Sequence, residues 1–238
     1  APAGAGDAPR VALTVDDAVS RQWPANLSAF ENLLAQLDEM RVPATLFVIA
    51  NDAALSEQGA RLLRRAVAAG HEIGNHGLAD AGMSAMSEAV FDASVAEWER
   101  RMRRVLGTWP PRRGDRRWFR PAKGLMSAAM AEVLQRRGYH VSLPDTWSSD
   151  STIVDPAFHA SALANAPCDG SVLLMHAPDP SWGAQITDVL PIVVPILRSR
   201  GFVFAGMSEM FAATGGPSSA RLALGAATLS GVALALLC

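Results

Sequence analysis

Two aspartates, Asp16 and Asp17, stand side by side at the end of the apolar stretch Val11–Val15. Adjacent like charges repel, and neither has a lysine or arginine beside it in the sequence. A divalent cation relieves that repulsion by taking one carboxylate as a ligand, which leaves the other to accept a proton from water. The plainer alternative is that one of them caps a following helix. His76 and Asp80 lie four apart, a spacing that puts two side chains on one face at the start of a helix. With Asp17 they make three nitrogen and oxygen donors, enough to hold an ion and leave positions open for water and substrate. Arg120 precedes Pro121, with Gly124 soon after; a guanidinium there can pair with a free carboxylate and tune it. His176 follows the apolar run Val172–Met175 and suits a general acid near neutral pH, though an isolated histidine there is more often a satisfied core residue. His71, inside an expected strand, reads as structural.

The elements that must position these residues follow from hydrophobic periodicity. Strands are expected over Val11–Val15, Ala44–Ala50, His71–Gly74, Trp118–Arg120, Tyr139–Leu143, Ser171–His176 and Phe202–Ala205. Helices are expected over Ala29–Met40, Arg61–Ala69, Glu88–Leu106, Met126–Arg137 and Ile186–Arg200, the last kinked by Pro191 and Pro195. Strands alternating with helices imply parallel βαβ units. About seven such repeats point to an α/β fold closed as a barrel rather than an open sheet. Asp16, Asp17, His76, Arg120 and His176 all fall at or just after strand C-termini, the rim on which such barrels build active sites.

The 238 residues suit one domain, and half of them are hydrophobic, so a large core can form. A net charge of −2 gives no electrostatic case for nucleic acid. The arginines between Arg100 and Arg117 read as a solvated helix end and loop, with an anionic-polymer patch as the alternative. Cys168 and Cys238 make no disulfide framework and do not define a redox compartment. Residues 1–210 are expected to form the catalytic domain. Residues 211–238 comprise a small, polar spacer and the apolar run Leu222–Cys238. That is the pattern of a removable lipid-anchor signal of the GPI type; a membrane-spanning anchor and a last buried helix fit it too. Asn26-Leu27-Ser28 matches the N-glycosylation triplet.

Taken in order, five segments resemble the motifs of the polysaccharide deacetylase family, carbohydrate esterase family 4. They are Thr14-Val15-Asp16-Asp17, then Gly70-His71-Glu72-Ile73-Gly74-Asn75-His76, then Phe119-Arg120-Pro121-Ala122-Lys123-Gly124, a fourth region ending at Asp150, and Leu174-Met175-His176. The resemblance implies a distorted (β/α) barrel, usually of seven strands. It implies Asp16 as catalytic base, His176 as general acid, Arg120 orienting Asp16, and Asp150 supporting the charged network. It implies metal binding by Asp17, His76 and the residue four beyond, with Leu174 lining a pocket for the acetyl methyl. Three departures stand out. Asp80 replaces the usual second histidine, giving an Asp-His-Asp set in which zinc is expected but cobalt, manganese or nickel gain ground. Ala18-Val19 replace Gly-Pro after the aspartates. The fourth motif matches best at Asp150, with Asp145 as fallback.

The expected activity is metal-dependent removal of N-acetyl groups from a GlcNAc-containing polysaccharide, chitin preferred, by a secreted or cell-surface monomer. Trp23, Trp147 and Trp182 lie in loops near the site, where they can stack on sugar rings or simply fill gaps; Pro121 is a further candidate substrate contact. Two other readings stay open: an amidohydrolase acting on small cyclic amides, and a catalytically inactive sugar-binding relative.

Overall fold

A computed structural model describes residues 8–20, 27–112, 114–179 and 185–212. Eight strands are found among them: β1 (Arg10–Ala18), β2 (Ala44–Val48), β3 (Glu72–Asn75), β4 (Arg117–Phe119), β5 (Tyr139–Val141), β6 (Thr146–Trp147), β7 (Ser171–His176) and β8 (Val203–Phe204). The α-helices are α1 (Leu27–Met40), α2 (Asp52–Leu55), α3 (Glu57–Ala68), α4 (Glu88–Leu106), α5 (Ala128–Arg136), α6 (Pro156–Asn165), α7 (Ile186–Ser199) and α8 (Met207–Met210). Trp23, Trp182, Asn26 and the tail beyond residue 212 lie outside the described residues.

All strand pairs are parallel, in the order β5-β4-β3-β2-β1-β7-β6, with β8 pairing the start of β1. The two ends of this order, β5 and β6, are joined by residues 142–145 alone. The chain from Val141 to Thr146 spans at most about 18 Å. A flat sheet of this many strands would hold its edges about 29 Å apart, at about 4.8 Å per spacing. The sheet therefore curls back on itself, and with its flanking helices it is the distorted seven-stranded (β/α) barrel expected from the sequence.

Alternation along β1 shows how the curled sheet sorts its side chains. Val11, Leu13 and Val15 join the large apolar cluster beneath α1, α3 and α7. Ala12 faces the interior with Phe47, Trp118 and Val172. Thr14 and Asp16 continue that inner row, since both bond to the buried Arg120. Burial on both faces is the mark of a parallel strand covered by helices. A second apolar cluster, with Phe91, Phe119, Met130 and Val133, packs α4 and α5 against β4.

Several elements were not foreseen. Helix α6 starts on a clear signal, Asp155 capping the Ala157 N–H with Pro156 in the first turn. Two of its four buried residues, Ala160 and Ala164, are small and a third, His159, is polar, so its amphipathic pattern is faint. Strand β6 and helices α2 and α8 are too short to leave a periodic signature. The helical geometry that would set His76 and Asp80 on one face is absent: residues 78–81 form bends, following Gly77 at φ 86°. Helix α7 runs through Pro191 and Pro195 as one element. No helix among the described residues is long and apolar enough to cross a membrane.

Candidate active site

A cavity of about 400 Å³ opens at the C-terminal rim of the strands, lined by Asp16, Asp17, His76, Asp80, Arg120 and His176 among others. Ordinary strand alternation would send Asp16 and Asp17 to opposite faces. Asp17 instead has φ 56°, and the β1–β2 register slips between Val15 and Ala18. This local irregularity turns both carboxylates to one side. His76 Nε2 lies 3.7 Å from Asp16 Oδ2 and 3.4 Å from Asp17 Oδ1.

Arg120 answers part of the negative charge. It leaves the end of β4 and is 1% exposed. Its Nη1 donates to Asp16 Oδ1 at 2.7 Å and to Thr14 Oγ1 at 2.8 Å. Its Nε and Nη2 donate to the Ser142 carbonyl and hydroxyl at 3.2 and 3.1 Å. The guanidinium carbon also sits 4.2 Å from the centre of the Phe47 ring. That ring explains Gly74 in the second motif, because a Cβ there would meet it at 2.6 Å. Thr14, Ser142 and Phe47 had no role assigned from sequence. Only Thr14 lay in a motif; the others depend on pairings between distant strands.

His76 follows β3, and its Nδ1 is 2.8 Å from the Arg120 carbonyl. A carbonyl only accepts, so Nδ1 carries the proton and the Nε2 lone pair faces the carboxylates. Burial alone would lower the His76 pKa; Asp16 and Asp17 overcome this and raise it. Asp80 lines the same cavity, but not by sharing a helical face with His76, since Gly77 breaks the chain away from helix. Its carboxylate is engaged by Lys123, with Nζ 2.7 Å from Oδ1. Lys123 has φ 65° within the Ala122–Gly124 turn of the third motif.

On the other wall, Asp16 and His176 are register partners on β1 and β7. His176 Nδ1 lies 2.8 Å from Asp150 Oδ1, and the His176 amide donates to Asp150 Oδ2 at 2.8 Å. Asp150 also accepts from Trp147 Nε1 at 3.2 Å. Burial would lower the His176 pKa, but the bonded Asp150, with Asp16 and Asp17 farther off, raises it. Burial would raise the Asp150 pKa, and the bonds from His176 lower it. Asp145, the fallback, instead accepts from the Val172 amide and pins β6 to β7. Leu174, Pro121 and Trp147 line the cavity, and Trp147 is 54% exposed.

The donor chemistry suits a divalent ion at the Asp17 carboxylate and His76 Nε2, one hard oxygen donor and one imidazole with its tautomer fixed. Among the described residues no group of three His, Cys, Asp or Glu side chains is gathered tightly enough to hold an ion. The Asp-His-Asp set expected from sequence is therefore two assembled donors and a third carboxylate held by Lys123.

Known proteins agree with this architecture. The chain is 28% identical to a chitooligosaccharide deacetylase of Sinorhizobium fredii over 85% of this chain and 92% of the relative. A family 4 acetyl xylan esterase from Clostridium thermocellum, solved with a cobalt ion, superposes with a TM-score of 0.73 at 29% identity, over 87% of this chain and 92% of that one. A family 4 pseudoenzyme from Bacillus anthracis shares the fold at 19% identity and a TM-score of 0.69, over 86% and 66% of the two chains. The family model described as polysaccharide deacetylase matches residues 3–142, and the chain belongs to that family of hydrolases.

Proposed function

We propose that this protein hydrolyses N-acetyl groups of a GlcNAc-containing polysaccharide, with chitin oligomers preferred, and releases acetate and glucosamine units. The observation that carries this reading is the pairing of Asp16 and His176. They are in register on adjacent strands and face one cavity, one held by Arg120 and the other by Asp150. A carboxylate held by a guanidinium and an imidazole held by a carboxylate, facing one cavity, are suited to serve as the base and the acid of a hydrolysis.

Asp17 and His76 would hold the divalent ion, with Asp80 completing the set on leaving Lys123. Zinc, or cobalt, manganese or nickel, supplies Lewis acidity at such a site when bound. Asp16 takes a proton from the attacking water at the carboxylate oxygen that Arg120 does not occupy. The oxygen of that water adds to the acetamide carbonyl carbon. His176, its ring fixed by Asp150 at Nδ1, gives its Nε2 proton to the departing amine nitrogen as the C–N bond breaks. Leu174 borders the space for the acetyl methyl, and Pro121 and Trp147 border the sugar. The chitooligosaccharide activity named for the Sinorhizobium relative supports the choice of substrate. A polymeric substrate of this kind also suits the secreted or cell-surface location expected from the tail.

Acetate release from chitin pentamer, with and without a chelator, tests the reading. Release that stops on chelation and returns with zinc or cobalt supports it. Pentamer binding without acetate favours an inactive sugar-binding relative, a second reading to which the Lys123–Asp80 pairing lends support. Hydrolysis of small cyclic amides without pentamer turnover favours the amidohydrolase.

A further inference from the structure

One buried imidazole outside the cavity ties down the turn that carries Asp150. His159, on α6, is fully buried. Its Nδ1 lies 2.9 Å from Ser148 Oγ and its Nε2 2.8 Å from the Ile153 carbonyl. Asp150 sits between those two partners. The turn has no regular secondary structure of its own and is closed by the Thr152 and Ile153 amides donating to the Ser149 carbonyl, at 3.0 Å each. Ser149 stands at φ 58°, a left-handed conformation that a non-glycine residue holds only when its surroundings impose it.

We propose that His159 is a positioning residue for the Asp150–His176 pair, clamping both ends of the turn so that the Asp150 carboxylate stays on His176 Nδ1. The Ile153 carbonyl only accepts, so His159 Nε2 carries a proton; in the neutral ring Nδ1 then accepts from the Ser148 hydroxyl. A rigid ring with a donor on one edge and an acceptor on the other spans the turn as no flexible side chain does. The ring is anchored on α6, which packs along α7 and touches β6. The clamp thus transmits the position of a helix to a loop carboxylate, the kind of support on which catalytic geometry depends. The carboxylates acting on His176 are Asp150 by direct bond and Asp16 and Asp17 from β1. The activity arm of the test rests on His176 being the general acid; the clamp itself does not.

The test compares His159→Phe, which keeps a ring and removes both bonds, with His159→Gln, which keeps an amide N–H for Ile153, and with Ser148→Ala. Two readouts are taken on each folded protein: steady-state acetate release from chitin pentamer, and the downfield NMR resonance of the His176 Nδ1 proton shared with Asp150. His159→Phe should lower kcat by about ten-fold or more with KM little changed, and should broaden or abolish the His176 resonance. His159→Gln should retain the resonance and most of the turnover. A His176 resonance unchanged in folded His159→Phe overturns the proposal. If that variant fails to fold by circular dichroism, Ser148→Ala decides, and an unchanged resonance there overturns it equally. A wild-type protein that releases no acetate but loses the resonance on substitution refutes the proposed activity and upholds the clamp.

Discussion

Lys123 Nζ stands 2.7 Å from Asp80 Oδ1, so the carboxylate expected as third metal ligand is already paired with an ammonium. An incoming ion must compete with that tethered cation. The lysine side chain is half exposed, so the pair is worth little in water and the competition is modest. Lys123→Met should tighten zinc or cobalt binding by about two- to five-fold, while Asp80→Ala should weaken it well beyond that. Titration calorimetry reads both. Equal affinity in the two variants excludes Asp80 from the ligand set.

Metal binding should also weaken as pH falls. The ligand nitrogen of His76 must be free of its proton, and the neighbouring carboxylates raise that proton's pKa. At pH above the raised value the ion meets a neutral ring. Below it, binding must displace a proton, and each further drop in pH costs affinity. Zinc titrations across the acid range check the sign: affinity indifferent to pH below neutrality removes His76 as a ligand.

The Arg120–Asp16 contact predicts two different costs. Asp16→Asn keeps an oxygen for Arg120 and should leave the fold and metal binding near normal while abolishing acetate release. Near-normal turnover in that variant would sink the assignment of the base. Arg120→Met instead leaves the Asp16 carboxylate buried without its guanidinium and should destabilise the fold by about 3–5 kcal/mol. Chemical unfolding measures it. Arg120→Lys should recover only part of the loss, because one ammonium cannot reach Asp16, Thr14 and Ser142 in the same fork.

Removing the Asp150 charge should move the alkaline limb of the rate profile. The general acid must be protonated to work, and Asp150 holds the His176 pKa up. In Asp150→Asn that support is gone, so His176 loses its proton at lower pH and activity declines earlier on the alkaline side. The pH dependence of kcat in the wild type and the variant reads the displacement. An alkaline limb that stays in place shows that it does not report His176.

Trp147 combines an exposed ring at the cavity with an N–H bond to Asp150. Trp147→Phe keeps an aromatic face and loses the N–H, and should mainly lower kcat. Trp147→Ala also removes the face and should raise KM for the pentamer by about five-fold, in line with about 1 kcal/mol of lost stacking. If KM is the same in all three proteins, the ring does not contact the sugar.

Much of this was legible in order along the chain. The strands that carry Asp16 and His176 are apolar runs buried on both faces, and a local pattern of that kind is written residue by residue. The long helices α1, α4, α5 and α7 were equally readable, because an amphipathic stripe repeats over several turns. The helix supposed to join His76 to Asp80 failed for a local reason as well, Gly77 at positive φ, which an i, i+4 spacing does not register. Helix α6 was lost because small residues on its buried face leave little contrast with the exposed one.

By itself the sequence determined the alternation of strands and helices, the rim on which the polar residues fall, and the identity of the donors and acids gathered there. Only the tertiary structure decided how they meet. The short link from β5 to β6 closes the sheet, and closure depends on pairings between strands far apart in the chain. The bulge at Asp17 turns a second carboxylate to the same side as Asp16, a backbone irregularity seen in the pairing of β1 with β2 and not in the period-two pattern of the sequence. Asp150 rather than Asp145 reaches His176, and Lys123 rather than an open site faces Asp80. Local patterns record which face of an element is buried. The partner that each buried polar group finds is settled by contacts summed over the whole fold.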